Sequence, residues 1–156
     1  MNDDLHELAV QRTIHAPREA VWRAWRDHMT EWFCPPPWRA AVEVQDLRPG
    51  GRSRIVMYGP EGERNEIEGV FLAVDPGRLV VATDAVSHDW RPQGPFLVRI
   101  DRFEDTGDGR TLYTAAARHW TAEAKAQHEA MGFIAGWTVS AEQLERVARR
   151  LAGEGA

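Results

Sequence analysis

Hydrophobic and polar residues alternate along most of this chain, and the pattern predicts a protein built largely from β-strands. Residues 7–15 alternate with a period of two, as expected for a strand with one buried face. Six further segments share this texture and are separated by turns rich in Gly, Pro and Asp: 39–47, 52–58, 65–74, 78–85, 95–104 and 110–118. Because no crossover helix lies between these segments, the predicted sheet is an antiparallel meander.

The segment after the first strand repeats its apolar residues every three or four positions, which predicts helix. Pro17 suits the first helical position, and the pattern continues to Phe33. We expect two short helices joined near Asp27 and His28. The prolines at 35–37 end this helical segment, because proline supplies no backbone N–H.

A second helical pattern lies at the C-terminal end of the chain and predicts one long helix over about residues 122–151, with Thr121 as its N-cap. Its apolar face is formed by Met131, Ile134, Trp137, Ala141, Leu144, Ala148 and Leu151. Gly132 and Gly136 weaken the helix, so we expect them to make room for the sheet or for a ligand.

This order of elements predicts an α+β fold with an internal cavity. One helix cannot cover a sheet of seven strands, so the sheet should curl around the helix and leave its concave side partly empty. Alternation assigns three sets of residues to single faces of their strands: Ser53, Ile55 and Met57; Ile67, Gly69 and Phe71; and Phe96, Val98 and Ile100. Without a repeat or linker, residues 1–156 should form one domain with its core over about 8–151.

Composition and charge exclude several classes of function. The chain has 156 residues and a net charge of −5, and it lacks a long basic run, so we expect no nucleic-acid partner. No window is apolar enough to span a membrane, and the acidic N-terminus does not resemble a secretion signal. Cys34 is the only cysteine, which excludes an internal disulfide and fits the cytoplasm.

Several segments together resemble a known superfamily. They are APREAVWRAW at 16–25, WFCPP at 32–36, DLRPGG at 46–51, GPEG at 59–62, GVFLAV at 69–74, RHW at 118–120 and HEAMGFIAGW at 128–137. In this order they resemble bacterial SRPBCC (START-like) proteins, and more narrowly the branch similar to the C-terminal domain of the heat-shock-protein-90 ATPase activator. The resemblance implies the helix-grip fold, also called START-like or birch-pollen-allergen-like: a curved antiparallel sheet and two short helices around a long C-terminal helix.

The resemblance leaves the function open, because its members include lipid-transfer domains, polyketide cyclases, hormone receptors and co-chaperones. We expect a hydrophobic or aromatic ligand, lipid-like or polyketide-like, in the internal cavity. Its predicted wall consists of Trp25, Trp32, Trp38, Met57, Phe71, Phe96, Met131 and Trp137. Each tryptophan is equally compatible with ordinary core packing. His119 and His128 are candidates to orient the ligand, although structural roles suit both histidines as well.

Two alternatives and a possible homodimer remain open from the sequence. A cofactor-independent cyclase, dehydratase or hydrolase would use His119 or His128 as a general base and Arg48 to stabilise an enolate-like charge. A chaperone ATPase co-regulator is the other alternative, and it rests on analogy of fold alone.

Motif spacing predicts no metal and no cofactor. The segment HEAMG resembles a zinc motif, but Gly132 stands where the second histidine ligand belongs. Ser87, His88 and Asp89 are contiguous and cannot form a nucleophile relay. The chain has neither GxGxxG nor a Walker loop, and Cys34 fits a small buried hydrophobic residue.

Overall fold

The structure, a computed structural model, describes residues 5–94 and 96–154. Seven strands lie within these residues: β1 (Glu7–Ile14), β2 (Arg39–Gln45), β3 (Arg52–Tyr58), β4 (Arg64–Asp75), β5 (Leu79–Thr83), β6 (Val98–Asp105) and β7 (Thr111–Arg118). The helices are α1 (Arg18–Asp27), α2 (Met29–Trp32), α3 (Ala122–Ala130) and α4 (Phe133–Glu154). Every predicted strand is present. Pro95, where the fifth of the six later segments was predicted to begin, lies outside the described residues.

The strands form one antiparallel sheet in the order β1-β7-β6-β5-β4-β3-β2. Strands β2 to β7 therefore pair with their neighbours in sequence as a meander, and β1 pairs with β7. The predicted antiparallel meander is confirmed. The two edges of the sheet are β1 and β2, which do not pair with each other in the described residues, so the sheet is open.

Glycine and a local irregularity allow the sheet to bend at β4. A Cβ atom at Gly69 would lie 2.0 Å from the carbonyl oxygen of Thr83, so only glycine permits this approach of β4 to the last residue of β5. Two residues further on, the register with β5 shifts between Phe71 and Ala73. Such irregularities bend a strand and increase its twist, which gives the sheet a concave face.

Helix α4 fills one end of the concave side. Its main contacts are with α1, α2 and β1. Leu144 and Ala148 of α4 are fully buried there, together with Val21 and Ala24 of α1. Helix α4 therefore leaves the concave face of the central strands uncovered. None of the helices in the described ranges is long and apolar enough to cross a membrane.

The predicted long C-terminal helix is confirmed as α4, but its predicted start at about residue 122 is wrong. The chain forms α3 and α4, which are separated at Gly132, where φ is +93°. This left-handed conformation costs glycine little and interrupts helical geometry. The predicted apolar face is also incorrect near the break, because Met131 and Ile134 are 67% and 49% exposed.

Other helix boundaries agree with the sequence. Helices α1 and α2 meet at His28, the predicted joint, although Pro17 caps α1 in extended geometry instead of occupying its first turn. Thr121 caps α3 as predicted, since its side-chain oxygen accepts a hydrogen bond of 3.0 Å from the backbone N–H of Ala124.

Candidate functional site

A cavity of about 670 Å³ lies between the concave face of the sheet and the helices. This volume is within the range of sites that hold drug-sized ligands. Six of the eight predicted wall residues line it: Trp25, Met57, Phe71, Phe96, Met131 and Trp137. Apolar side chains from β3, β4, α1 and the loop before β6 therefore converge on one space.

Two predicted wall residues lie elsewhere in the described structure. Trp32 is 1% exposed and lies behind Trp25, with ring centroids 6.2 Å apart. Trp38 is half-buried against the core and is absent from the cavity lining. Trp22 stacks on Trp25 at 5.6 Å on the side away from the cavity, so only one of this pair reaches the lining. Trp22 and Trp32 therefore pack against Trp25 without lining the cavity.

Arg48 is not brought to the cavity. It lies in the DLRPGG turn, where its side chain is 67% exposed and pairs with Asp46 at 2.8 Å. Among the described residues, the cation that lines the cavity is instead Arg99. An enolate-stabilising role for Arg48 thus has no geometric support.

The alternation predicted for the start of β6 is incorrect. Phe96 lines the cavity from the loop before the strand, and within β6 the lining residues are Arg99 and Asp101. Val98 and Ile100 lie on the opposite face of the sheet. The sequence contained a signal for this arrangement. Arg99 and Asp101 alternate with the apolar residues Val98 and Ile100, so both charged side chains lie on one face of the strand. Their opposite charges allow them to pair when that face is buried.

Asp101 is the centre of a buried polar network at the cavity wall. It is 1% exposed and accepts hydrogen bonds from Arg99 at 2.8 and 3.2 Å. The Nε1 of Trp25 donates to the same carboxylate at 3.1 Å, and the hydroxyl of Tyr113 donates at 2.5 Å. A buried carboxylate requires this degree of pairing, because its isolated charge would be very costly. The network fixes the orientation of the Trp25 ring in the cavity wall.

Tyr113 is a neutral hydrogen-bond donor in this network. Burial raises the pKa of its phenol well above the ordinary value, and the negative charge of Asp101 raises it further. The hydroxyl therefore keeps its proton at physiological pH. It cannot serve as a general base toward a molecule in the cavity.

Arg99 is a buried cation held between the carboxylate and two aromatic rings. Its guanidinium lies 4.3 Å from the ring centroid of Trp137 and 5.2 Å from that of Phe33. Burial acts to lower its pKa, but Asp101 more than offsets this, so the pKa is raised and the charge persists. Asp101 uses Nε and Nη2, which leaves Nη1 outside the ion pair. The hydroxyl of Tyr113 also contacts the guanidinium.

His119 and His128 form a hydrogen-bonded pair beside the cavity. Nε2 of His119 lies 2.9 Å from Nδ1 of His128, and Nδ1 of His119 lies 3.0 Å from the backbone oxygen of His6. A carbonyl oxygen can only accept, so Nδ1 of His119 carries hydrogen. In the neutral ring, Nε2 then accepts from Nδ1 of His128. This order leaves the lone pair of His128 on its own Nε2.

Nε2 of His128, a residue of the cavity lining, has accessible surface. His128 is 8% exposed and lines the cavity, and its Nε2 makes no hydrogen bond to the described residues. Those residues contain no fully buried side-chain nitrogen or oxygen without a partner, so Nε2 must have accessible surface. Burial lowers the pKa of His128 to about 4, with further contributions from His119 and Arg99. At neutral pH, Nε2 is therefore an acceptor.

Several other polar groups at the cavity are already used by the protein. Oδ1 of Asp84 accepts from the backbone N–H groups of Phe96 and Leu97, at 2.9 and 3.2 Å. The side-chain NH2 of Gln93 donates to two backbone oxygens, and the hydroxyl of Ser140 lies within hydrogen-bond distance of two others, to one of which it donates at a time. These contacts hold the wall in place, whereas Nε2 of His128 has no hydrogen-bond partner among the described residues.

Nucleophilic and metal chemistry have little support in this region. Burial raises the pKa of the Cys34 thiol to about 11, so the reactive thiolate is scarce at neutral pH. The described ranges contain no group of three or more His, Cys, Asp or Glu side chains arranged to hold a metal ion. Ser87 and His88 lie in a loop and are not part of the cavity lining.

The fold and the cavity define a class of protein. A curved antiparallel sheet wraps around a long C-terminal helix and encloses a space of ligand size, which is the helix-grip fold. The family model described as "Activator of Hsp90 ATPase homolog 1-like protein" matches residues 15–149. The chain therefore belongs to this family of SRPBCC type. No curated protein matches the sequence.

Solved structures of bacterial proteins share this fold. A protein from Nitrosomonas europaea is 34% identical, with 96% of this chain and 97% of that chain covered and a TM-score of 0.88. A protein from Mycobacterium smegmatis is 28% identical, with coverages of 93% and 91% and a TM-score of 0.77. A Silicibacter pomeroyi protein that carries the family's name is 23% identical, covers 95% and 99%, and has a TM-score of 0.67. This last likeness concerns the fold alone.

Proposed function

We propose that this protein binds a hydrophobic or aromatic small molecule, lipid-like or polyketide-like, in its internal cavity. The supporting observation is the cavity of about 670 Å³, which has a largely apolar wall and a fixed cation at one side. Trp25, Phe71 and Trp137 offer wide apolar surfaces to a flat guest. Burial of such a guest is worth about 25 cal/mol for each Å² removed from water.

Tryptophan fluorescence during titration with fatty acids, flavonoids and polyketide-like aromatics tests this proposal. Trp25 and Trp137 line the cavity, so a bound guest should quench part of the emission saturably. Trp137→Ala should weaken binding by about tenfold, the effect of losing roughly 1.4 kcal/mol of contact energy. Trp90→Ala is the matched control, since Trp90 is 70% exposed. Absence of saturable quenching by any compound, in folded protein, would contradict the proposal.

An enzymatic role is the first alternative, and one observation favours it. His128 offers a neutral base and Arg99 a fixed positive charge in the same cavity, the two groups that removal of a proton next to a carbonyl needs. A cofactor-independent cyclase, dehydratase or hydrolase would then use His128 and not Arg48. Turnover of an aromatic polyketide that is unchanged in His128→Ala would contradict this alternative.

Regulation of a chaperone ATPase is the second alternative. Its support is the family to which the chain belongs, which is described by its similarity to an activator of the Hsp90 ATPase. Stimulation of a purified bacterial chaperone ATPase by this protein would support it. An unchanged ATPase rate at saturating protein would contradict it and leave the proposal of ligand binding intact.

A further inference from the structure

The polar geometry of the cavity restricts which hydrophobic guest it accepts, and this inference rests on the proposed function. His128 is the only buried residue of α3, and it lines the cavity. Its Nδ1 is occupied by His119, while its Nε2 has no partner in the described structure. The accessible lone pair is therefore an unsatisfied acceptor in a mostly apolar wall. A guest without a hydrogen-bond donor would shield this nitrogen from water and leave it without any hydrogen bond, which costs free energy of binding.

The surroundings of His128 favour a flat aromatic donor. Its ring lies 4.7 Å from Phe96, 5.0 Å from Phe133 and 5.8 Å from Trp137, measured between centroids. These three rings pack around the imidazole. Arg99 also lies over Trp137, at 4.3 Å, so an ammonium donor would meet a positive charge. A carboxylate cannot donate a proton to Nε2. A neutral hydroxyl group on an aromatic ring can donate to Nε2 without adding a positive charge, and its ring can pack against the surrounding aromatic side chains.

We propose that the guest carries a phenolic hydroxyl that donates a hydrogen bond to Nε2 of His128, and that His119 fixes the tautomer required for this contact. His119 is a positioning residue, since its own nitrogens are used by His6 and His128. The site thereby selects phenols over otherwise identical ethers.

Calorimetric titration with a matched pair of flavones tests this inference. One flavone bears a single hydroxyl para to the ring carbonyl, and the other is its methyl ether. The wild-type protein should bind the hydroxyl compound roughly five- to tenfold more tightly, the value of one hydrogen bond to a buried acceptor. In His128→Phe this preference should vanish, while the affinity for the ether stays within about twofold because the aromatic packing is kept. His88→Phe replaces an exposed histidine and should retain the full preference.

The outcomes separate this inference from the proposed function. Equal and saturable binding of both flavones to the wild type would overturn the inference and leave cavity binding in place. Failure of both flavones to bind, while a fatty acid does, would overturn the inference alone. No binding by any compound in the panel would overturn both.

Nitrogen chemical shifts of the imidazole rings give a test without ligand or variant, and so keep the inference falsifiable if His128→Phe does not fold. At neutral pH both His119 and His128 should be protonated on Nδ1 and not on Nε2. A proton on Nε2 of neutral His128 would overturn the proposed contact. A second measurement uses His119→Phe. In this variant His128 should no longer favour the tautomer with hydrogen on Nδ1, because the nitrogen of His119 that accepts this hydrogen is gone.

Discussion

Asp101 links the stability of the fold to the shape of the cavity. Its carboxylate receives hydrogen bonds from Arg99, Trp25 and Tyr113, and its side chain is almost completely buried. The ion pair holds a charge inside the protein, and the indole contact orients a wall residue. Loss of the negative charge should therefore affect both folding and binding.

Asp101→Asn should lower the free energy of unfolding by about 3 kcal/mol, because it leaves the buried Arg99 cation without a counter-charge. Glu104→Gln is the matched control on the same strand, since Glu104 is exposed, and it should change stability by less than about 0.5 kcal/mol. Urea denaturation measures both. Equal stability of Asp101→Asn and the wild type would show that the ion pair does not stabilise the fold.

Residue chemistry in the cavity could be predicted from the sequence only in part. The aromatic wall followed from large apolar residues at regular spacing, and Trp25, Phe71 and Trp137 are indeed in the lining. Arg99 and Asp101 were missed because a charge in a strand ordinarily faces water. Their pairing depends on which face becomes concave, and alternation alone does not determine that.

At the level of elements, α3 is a short helix with few anchors. It makes few contacts with α4 and β1, and His128 is its only buried residue. The neighbouring break at Gly132 separates α3 from α4 in the chain. The sequence showed helical periodicity through this break, since the apolar spacing continues across residues 128–137. The positive φ of Gly132 was not visible in that spacing.

Gly132→Ala should lower the free energy of unfolding by about 1 kcal/mol, because alanine is strained at a φ of +93°. The space around a Cβ at this position is open, so the cost comes from the backbone and not from a clash. Gly153→Ala also meets open space, but it lies within α4 and should be neutral or stabilising by up to about 1 kcal/mol. A stabilised Gly132→Ala protein would indicate that α3 and α4 prefer to be continuous.

Acid should loosen α3 through His128. Burial lowers the folded-state pKa of His128 to about 4 from 6.5, with contributions from the facing His119 and Arg99. The unfolded chain then binds more protons between these values, so the stabilisation is complete above pH 6.5 and is lost as the pH falls toward 4. In urea denaturation at pH 7 and pH 5, the free energy of unfolding should fall less between the two pH values for His128→Phe than for the wild type. An identical pH dependence in both proteins would contradict this account.

On the scale of the whole molecule, the order of elements predicted the fold. One strand, two short helices, six strands and a C-terminal helical region admit few arrangements, because a meander needs only short connections. The curled sheet and the cavity follow from one helix facing seven strands. The guest does not follow from the fold, since the same frame serves several functions. The polar groups of Arg99 and His128 restrict the kinds of ligand that we expect in the cavity.

The indole N–H signals of the tryptophans in a proton–nitrogen correlation spectrum test the central claim most directly. During titration with the hydroxyl-bearing flavone, the account predicts saturable shifts for Trp25 and Trp137, which line the cavity. Signals of Trp90 and Trp120, which are 70% and 50% exposed, should stay in place. Shifts confined to Trp90 and Trp120 would mean that the compound binds the outer surface, and would contradict an internal ligand site.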